Sequence, residues 1–446
     1  MNEDALIVQG GKPLKGEVNL SGAKNIALKV LITGLLYDEP VIFENIPHIG
    51  DINEIIHLIN DLGAKAEFIK NNVVKIDPHG LKRYEIDLLH GSKIRVSFMF
   101  FAPLLYCFGK AVIPNPGGCR LGARPIDRHI DMLKAFGVEI GYNSETGFYE
   151  AQVNDEIHGC AFTFDKPTHT GTELALMMAS IAKGNSVIHN AALEPEIDDL
   201  INLFNQSGAQ INREGSSITV RSTKEKLKID HPYSIQPDRN EAPTFAAFAL
   251  ATKGDIYVKG ITDQALSFFL EELKEINAGV EQLKDGIRFY YKGKLKSSHI
   301  TTCPHPGFMT DWQGPWALLM TQAEGESTIH ETIFENRFGY VSELQKLGAR
   351  IEFFQPELNN PESVYQFKIE EPTTVKDLQQ AIKIYGPVKL HNGVMEVKDL
   401  RAGATILIAA CMAEGESVVQ GVSTIDRGYE NIEGKLIKLG ADIKRV

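Results

Sequence analysis

Several things are missing from this 446-residue sequence, and each absence narrows the function. No C-x-x-C pair occurs among its five cysteines, Cys107, Cys119, Cys160, Cys303 and Cys411. Scattered and odd in number, they offer neither a zinc site nor a disulfide framework, which fits a reducing cytoplasm. No metal and no cofactor is therefore expected. Positive charge is not in excess either. The net charge of −12 argues against nucleic acid as a partner, although a local anion site is compatible with it. The most apolar stretch, Val96 to Phe108, is too short to span a bilayer and reads as a buried helix, so no membrane role is expected. The opening residues M-N-E-D-A-L-I-V-Q-G-G hold no basic region followed by a long apolar run, so no signal peptide is expected.

What is present fits a globular protein, with 43% hydrophobic and 23% charged residues. The length exceeds one ordinary core, so two domains are the natural division. A small-residue signature recurs six times, each time after a helix-like pattern and before a strand-like one. The copies read D-L-G-A-K-A-E-F from Asp61, A-F-G-V-E-I-G-Y from Ala135, Q-S-G-A-Q-I-N-R from Gln206, I-N-A-G-V-E-Q-L from Ile276, K-L-G-A-R-I-E-F from Lys346 and K-L-G-A-D-I-K-R from Lys438. Their spacing is roughly 70 residues, with a last gap about 20 longer, which suits a supersecondary repeat.

Each copy carries a turn and short β-branched strand, as in K-G-N-S-V-I-H-N from Lys183, then an amphipathic helix. In the third copy Ile197, Leu200, Ile201 and Phe204 fall at three- and four-residue steps on one helix face. Glycine after that helix fits a C-cap. Segments such as A-L-K-V-L-I-T-G-L-L, E-L-A-L-M-M-A-S-I-A and A-G-A-T-I-L-I-A-A-C-M-A are apolar nearly all round and are expected inside. Six units divide as three plus three, giving an α/β (α+β) chain of two domains. Each is expected to hold buried helices within mixed sheets. The long last gap reads as an insertion between about Phe354 and Glu396.

The segment Asn115 to Asp127, N-P-G-G-C-R-L-G-A-R-P-I-D, is neither helix nor central strand in composition. Gly117 and Gly118 permit unusual backbone angles, and Pro116 and Pro125 restrict the chain on either side. This shaped loop presents Cys119 between Arg120 and Arg124. Positive neighbours favour the reactive thiolate, and guanidinium forks suit phosphate or carboxylate. The composition alone is equally compatible with an ordinary surface loop and an incidental cysteine.

S-G-A-K-N (Ser21–Asn25), P-G-G-C-R-L-G-A-R-P-I-D, F-E-N-R-F (Phe334–Phe338) and I-D-R-G-Y-E (Ile425–Glu430) resemble the UDP-N-acetylglucosamine 1-carboxyvinyltransferase family of enolpyruvyl transferases. The resemblance spans essentially the whole chain in the same order. It implies a two-domain inside-out α/β barrel, each domain three βαβαββ-like units around buried helices. Residues 1–22 and 237–446 would form one discontinuous domain and residues 23–236 the other, with the active site in the cleft between them. It also implies transfer of enolpyruvate from phosphoenolpyruvate to the 3′-hydroxyl of UDP-N-acetylglucosamine with release of phosphate. That reaction is the first committed step of peptidoglycan synthesis and belongs to the cytoplasm. It needs a general acid, a general base and positive charge for phosphate and carboxylate.

By this resemblance Cys119 is the proton donor and the thiol that fosfomycin alkylates. Lys24 and Asn25 contact phosphoenolpyruvate, and Arg95, Arg124 and Arg427 surround its phosphate and carboxylate. Asp311 is a candidate base near the sugar hydroxyl, Asp399 a second acid at the reacting centre, and Arg401 a supporting residue. Arg124, Pro125, Ile126, Asp127 and Arg128, together with Lys166, Pro167, Thr168 and His169, match uridine and diphosphate contacts. Ile333 matches another nucleotide-sugar contact, while Arg337 is read as structural. The other four cysteines are read as small core residues.

Three features depart from the family pattern: K-P-T-H-T-G-T-E at Lys166–Glu173, the tryptophans Trp312 and Trp316 crowding the loop around Asp311, and the insertion. They mark either a divergent housekeeping enzyme or a relative acting on another uridine nucleotide. A 3-phosphoshikimate 1-carboxyvinyltransferase relative would share the fold and donor but would not carry P-G-G-C or S-G-A-K-N. An inactive paralogue serving as a binding module is disfavoured by Cys119, Lys24, Asp311, Asp399 and the arginines.

Overall fold

The six signatures prove to be six helix ends. In a computed structural model describing residues 4–118, 121–122, 125–223, 226–368 and 379–446, Gly63, Gly137, Gly208, Gly348 and Gly440 adopt φ between +88° and +101° just past a helix. That left-handed conformation costs a glycine little and lets its N–H turn back onto the helix. At Gly208, Gly348 and Gly440, for example, it bonds to Asn205 O, Gln345 O and Ile437 O. The fourth copy differs from the sequence reading by one position. Asn277 (φ +67°) stands where the others have glycine, and Gly279 already begins the next strand, Gly279–Leu283. Asparagine is the other residue that tolerates this conformation, so the motif survives without its glycine.

The chain forms two compact units, one of Met1–Ser21, Cys119–Arg124 and Pro237–Val446, the other of Gly22–Gly118 and Pro125–Gln236. The first unit holds three sheets. Gly279–Leu283, Gly286–Tyr290, Asp255–Lys259 and Lys15–Asn19 form one, in that order. Leu295–Lys296, Ala323–His330, Ala381–Gly386 and Arg350–Phe354 form the second, with His299–Thr301 also paired to Ala323–His330. Val394–Glu396, Gly415–Gln420, Ala5–Gly10 and Asp442–Arg445 form the third. The helices Glu241–Ala251, Gln313–Met320 and Leu400–Met412 pack against one another and each against one of these sheets. Every residue of Glu241–Ala251 and Gln313–Met320 is buried, as their all-round apolar composition requires. Helices inside and sheets outside is the inside-out arrangement.

The second unit repeats this plan with the sheets Tyr233–Ser234/Val41–Glu44/Val73–Asp77/Lys65–Lys70, Gln210–Glu214/Ser217–Arg221/Ser186–His189/Ala161–Thr163 and Lys110–Pro114/Phe148–Val153/Val138–Asn143. Its interior is built on the helices Lys24–Thr33, Phe101–Phe108 and His169–Ile181. Val96 to Phe108 is a 3-10 turn, Arg95–Phe100, running straight into the helix Phe101–Phe108.

Among the described residues five of the six sheets are mixed, and Lys110–Pro114/Phe148–Val153/Val138–Asn143 is antiparallel throughout. Hairpin partners run antiparallel, while Lys15–Asn19 on Asp255–Lys259 and Ala161–Thr163 on Ser186–His189 run parallel. In the sixth repeat the strand Asp442–Arg445 pairs with the strand Ala5–Gly10.

Two sequence expectations need correction. The segment Phe354–Glu396 is not a wholesale insertion. Ala381–Gly386 lies inside its sheet between Ala323–His330 and Arg350–Phe354, and Val394–Glu396 pairs with Gly415–Gln420. The added length sits in the hairpin connector 355–380, of which 369–378 lie outside the described residues. The cysteines also differ from expectation. Among the described cysteines only Cys411 is fully buried, Cys160 is half-buried, and Cys107 and Cys303 are exposed. Burial still pushes the Cys411 thiol up to about 12 and the Cys160 thiol up to about 11. Among the described residues no helix is long and apolar enough to cross a membrane.

Candidate functional site

In the first unit, two carboxylates and two guanidiniums meet. Asp311 lies in the 3-10 turn Thr310–Trp312, just before the buried helix Gln313–Met320. Its Oδ1 accepts from Arg337 Nη2, and its Oδ2 accepts from Arg401 Nε at 3.3 Å. Arg337 Nη1 is also 3.9 Å from Asp399 Oδ1. Asp399 caps the helix Leu400–Met412, its Oδ1 accepting from the backbone N–H of Arg401 and of Ala402 at 3.0 Å each. An acidic cap there satisfies orphan amides and sits well at the positive end of the helix.

The cluster is largely dry. The side chains of Arg337, Arg401 and Asp399 are 5%, 9% and 12% exposed. Arg401 also lies over the Tyr429 ring, 5.2 Å from its centroid. Burial works to lower the pKa of Arg401, but Tyr429, Asp311 and Asp238 outweigh it and push it up, so the charge is kept. Its Nη1 is nonetheless buried with no hydrogen-bond partner among the described residues. A buried guanidinium N–H left open is a place for an anionic ligand atom, because such a group is costly to leave unpaired.

Other predicted residues belong to the same unit. Ile333 is half-buried, and its N–H donates to Glu331 Oε1 at 2.8 Å. Arg427, also half-buried, follows the short helix Ser423–Asp426. Leu121 and Gly122 group with this unit, where Leu121 O accepts from Asn336 N at 3.1 Å. Trp312 and Trp316 are 1% and 0% exposed and fill the core against Phe269 and Phe308. Their indole N–H groups go to Asn240 Oδ1 and Ser298 Oγ, each at 3.0 Å. Their bulk is therefore spent on packing.

The second unit carries the other predicted residues in separate pairings. Lys24, first residue of the helix Lys24–Thr33, lies 2.8 Å from Asp51 Oδ2, and Asn25 beside it is half-buried. Arg95 Nη2 donates to Pro125 O at 3.3 Å. Ile126 is buried, and Asp127 opens the helix Asp127–Ala135. Arg128 grips Asp165 through Nε at 2.6 Å and Nη2 at 3.2 Å, which holds that carboxyl below its usual range. Burial, then the charges of Arg95 and Arg128, push the neighbouring His129 down to about 3. That imidazole stays neutral in an electropositive neighbourhood.

Lys166 is half-buried and Pro167 exposed. Thr168 caps the helix His169–Ile181, its hydroxyl accepting from Gly171 N at 3.3 Å. His169 Nε2 lies 3.3 Å from Glu173 Oε1, and Lys29 Nζ lies 2.9 Å from Glu173 Oε2. Burial alone would lower the His169 pKa, but the Glu173 charge overrides it and raises it. Upstream of Cys119, a Cβ on Gly117 would stand 1.7 Å from Ser92 O, so only glycine fits that approach. Cys119 and Arg124 themselves lie outside the described residues.

Sequence reasoning missed Glu331, Asp51 and Glu173. Arg337, read as structural, is the guanidinium that bonds Asp311 and approaches Asp399. The only local signals were Glu331 immediately ahead of T-I-F-E-N-R and Glu173 four residues after His169. Among the described residues one group, Asp155, Glu156 and His158, brings possible metal-ligand atoms within 4.8 Å of one another. It lies at the surface, where Glu156 also pairs with Lys183 at 3.1 Å.

The EPSP synthase (3-phosphoshikimate 1-carboxyvinyltransferase) family model matches residues 8–436. The protein named UDP-N-acetylglucosamine 1-carboxyvinyltransferase in Coxiella burnetii (strain RSA 493 / Nine Mile phase I) is 37% identical over 444 residues, covering 99% of this chain and 96% of the relative. Its namesake in Xylella fastidiosa (strain 9a5c) is 38% identical over 448 residues, covering 99% of each. The crystal structure of the enolpyruvyl transferase NikO from Streptomyces tendae superposes with a TM-score of 0.85 at 22% identity, covering 100% of this chain and 99% of that one. At that identity the likeness concerns the fold, which is the two-domain inside-out α/β fold.

Proposed function

The chain belongs to the enolpyruvyl transferase family, with the UDP-N-acetylglucosamine 1-carboxyvinyltransferases, and from that premise we propose how it works. It transfers enolpyruvate from phosphoenolpyruvate to the 3′-hydroxyl of UDP-N-acetylglucosamine, at the start of peptidoglycan synthesis and in the cytoplasm. The observation that carries this reading is the end-to-end identity with enzymes of that name.

In this reading Cys119 is the acid and Asp311 the base. Cys119 delivers a proton to carbon 3 of phosphoenolpyruvate, which makes carbon 2 electrophilic. Asp311 takes the proton of the sugar hydroxyl as its oxygen bonds to carbon 2. The tetrahedral intermediate then loses a proton from carbon 3, the bond from carbon 2 to the phosphate oxygen breaks, and phosphate leaves. Lys24, Arg95, Arg124 and Arg427 balance the phosphate charge. The open Nη1 of Arg401 suits the carboxylate of the donor. Asp399 orients Arg337 and the start of the Arg401 helix at the reacting centre. Asn25 contacts the donor. Pro125, Ile126, Asp127, Arg128, Lys166, Pro167, Thr168, His169 and Ile333 line the nucleotide-sugar side. The chemistry asks for no metal and no cofactor.

Fosfomycin tests the acid. Intact-mass analysis should show one labelled thiol, Cys119, with labelling accelerated by UDP-N-acetylglucosamine. Cys119→Ser should reduce turnover sharply and keep nucleotide-sugar binding. Cys119→Asp should keep activity and escape the label, since a carboxylic acid can still donate a proton. Full turnover by the serine variant would remove Cys119 from the acid role. The family model's own description favours shikimate 3-phosphate as a second candidate acceptor, and the same protein preparation can be offered both.

A further inference from the structure

Glu331 has no exposed surface, yet every lone-pair direction of its carboxylate is used. Oε2 accepts from Thr310 Oγ1 at 2.9 Å and from Gln313 Nε2 at 2.5 Å. Oε1 accepts from the backbone N–H of Ile333 at 2.8 Å and of Phe334 at 3.0 Å. The first two donors flank Asp311, one on the residue before it and one at the start of the helix after it. The other two sit at the head of the segment that runs to Arg337, and Arg337 is the guanidinium that bonds Asp311. One carboxylate thus ties together the turn that carries Asp311, the segment that carries its cation, and Ile333.

The clamp is itself braced. Glu331 N donates to Gln380 O at 2.8 Å, and Gln380 Nε2 donates to Glu335 O at 2.9 Å. Thr332 is bound to Thr302 through its N–H at 2.9 Å and its hydroxyl at 2.5 Å. Tyr340 donates to Gln313 Oε1 at 2.6 Å, which fixes the amide so that its NH2 faces Glu331. Filling this space for packing alone would call for an apolar side chain. Four donors converging on two oxygens call for an ionisable acid in its acceptor-only form.

We propose that Glu331 is a positioning residue that sets Asp311 against the sugar hydroxyl and couples it to the nucleotide-sugar contact at Ile333. The proposal rests on the reading of Asp311 as the base. A carboxylate and its substrate hydroxyl must meet within hydrogen-bond reach, and misplacement by about 1 Å costs on the order of a hundredfold in rate. Glutamine in place of Glu331 keeps the size but turns an NH2 toward two of the four donors, so one side of the clamp opens.

A double-mutant cycle tests this, read as kcat for phosphate release with phosphoenolpyruvate and UDP-N-acetylglucosamine. Glu331→Gln should lower kcat about ten- to a hundredfold in the unaltered protein. In an Asp311→Asn background it should cost nothing further, because the group it positions is already gone. Thr310→Val, which removes one of the four tethers and leaves the carboxylate in place, should show a smaller loss with the same disappearance in Asp311→Asn. Equal losses in both backgrounds, for either variant, would overturn the proposal while leaving the functional reading intact. No phosphate release by the unaltered protein with this acceptor would overturn the functional reading and the proposal together.

Discussion

Glu173 in one unit and Glu331 in the other are both wholly buried carboxylates, and they are held in opposite ways. Glu173 is held by charge: Lys29 at 2.9 Å and His169 at 3.3 Å, with neither of its oxygens in an aligned hydrogen bond among the described residues. Glu331 is held by four aligned donors, all from neutral groups, and the Arg337 charge is the largest single influence favouring its ionised form. Its burial raises its pKa despite those bonds. The first arrangement pins helices together, since Lys29 and Glu173 belong to Lys24–Thr33 and His169–Ile181. The second fixes a turn and a loop, which have no helix of their own to set their geometry. Ion pairs tolerate angular error better than aligned hydrogen bonds do.

The ion pair should respond most strongly to substitution. Lys29→Met strands a buried carboxylate and should cost about 3–5 kcal/mol in urea denaturation, with Lys29→Met/Glu173→Leu recovering most of that loss. A single variant as stable as the unaltered protein would mean that Glu173 is neutral when folded, and the contrast with Glu331 would disappear. A gentler probe is the helix cap in the other unit. Asp399→Ala removes two backbone-directed bonds at the start of Leu400–Met412 and should cost about 1 kcal/mol by thermal denaturation. It should lower turnover disproportionately, because the same carboxylate faces Arg337. Equal turnover at reduced stability would make Asp399 a cap and nothing more.

Much of the fold was legible because it is repeated. Five glycine-bearing helix ends, all-round apolar helices and short β-branched strands are local features with local causes. The reading failed where a tertiary constraint replaced a local one. Asn277 took over the glycine position, so the fourth copy shifted by one residue. The N-terminal strand Ala5–Gly10 supplies a partner to the last repeat, which no local pattern announces. The stretch between about Phe354 and Glu396, read as holding an insertion, also holds a regular strand, Ala381–Gly386. Trp312 and Trp316 looked like an altered site and are core.

At the site, the motifs identified Asp311, Asp399 and Arg401, which the fold gathers around Arg337. They gave no hint of Glu331, whose role depends on donors from both sides of Asp311 and from its own following turn. A carboxylate beside apolar strand residues looks the same in sequence whether it clamps a loop or faces water.

Phosphate release from phosphoenolpyruvate decides which acceptor the protein uses. Purified protein should release phosphate with UDP-N-acetylglucosamine, not with shikimate 3-phosphate, and should stop after fosfomycin treatment. Release with shikimate 3-phosphate or another uridine sugar in place of UDP-N-acetylglucosamine would contradict the account.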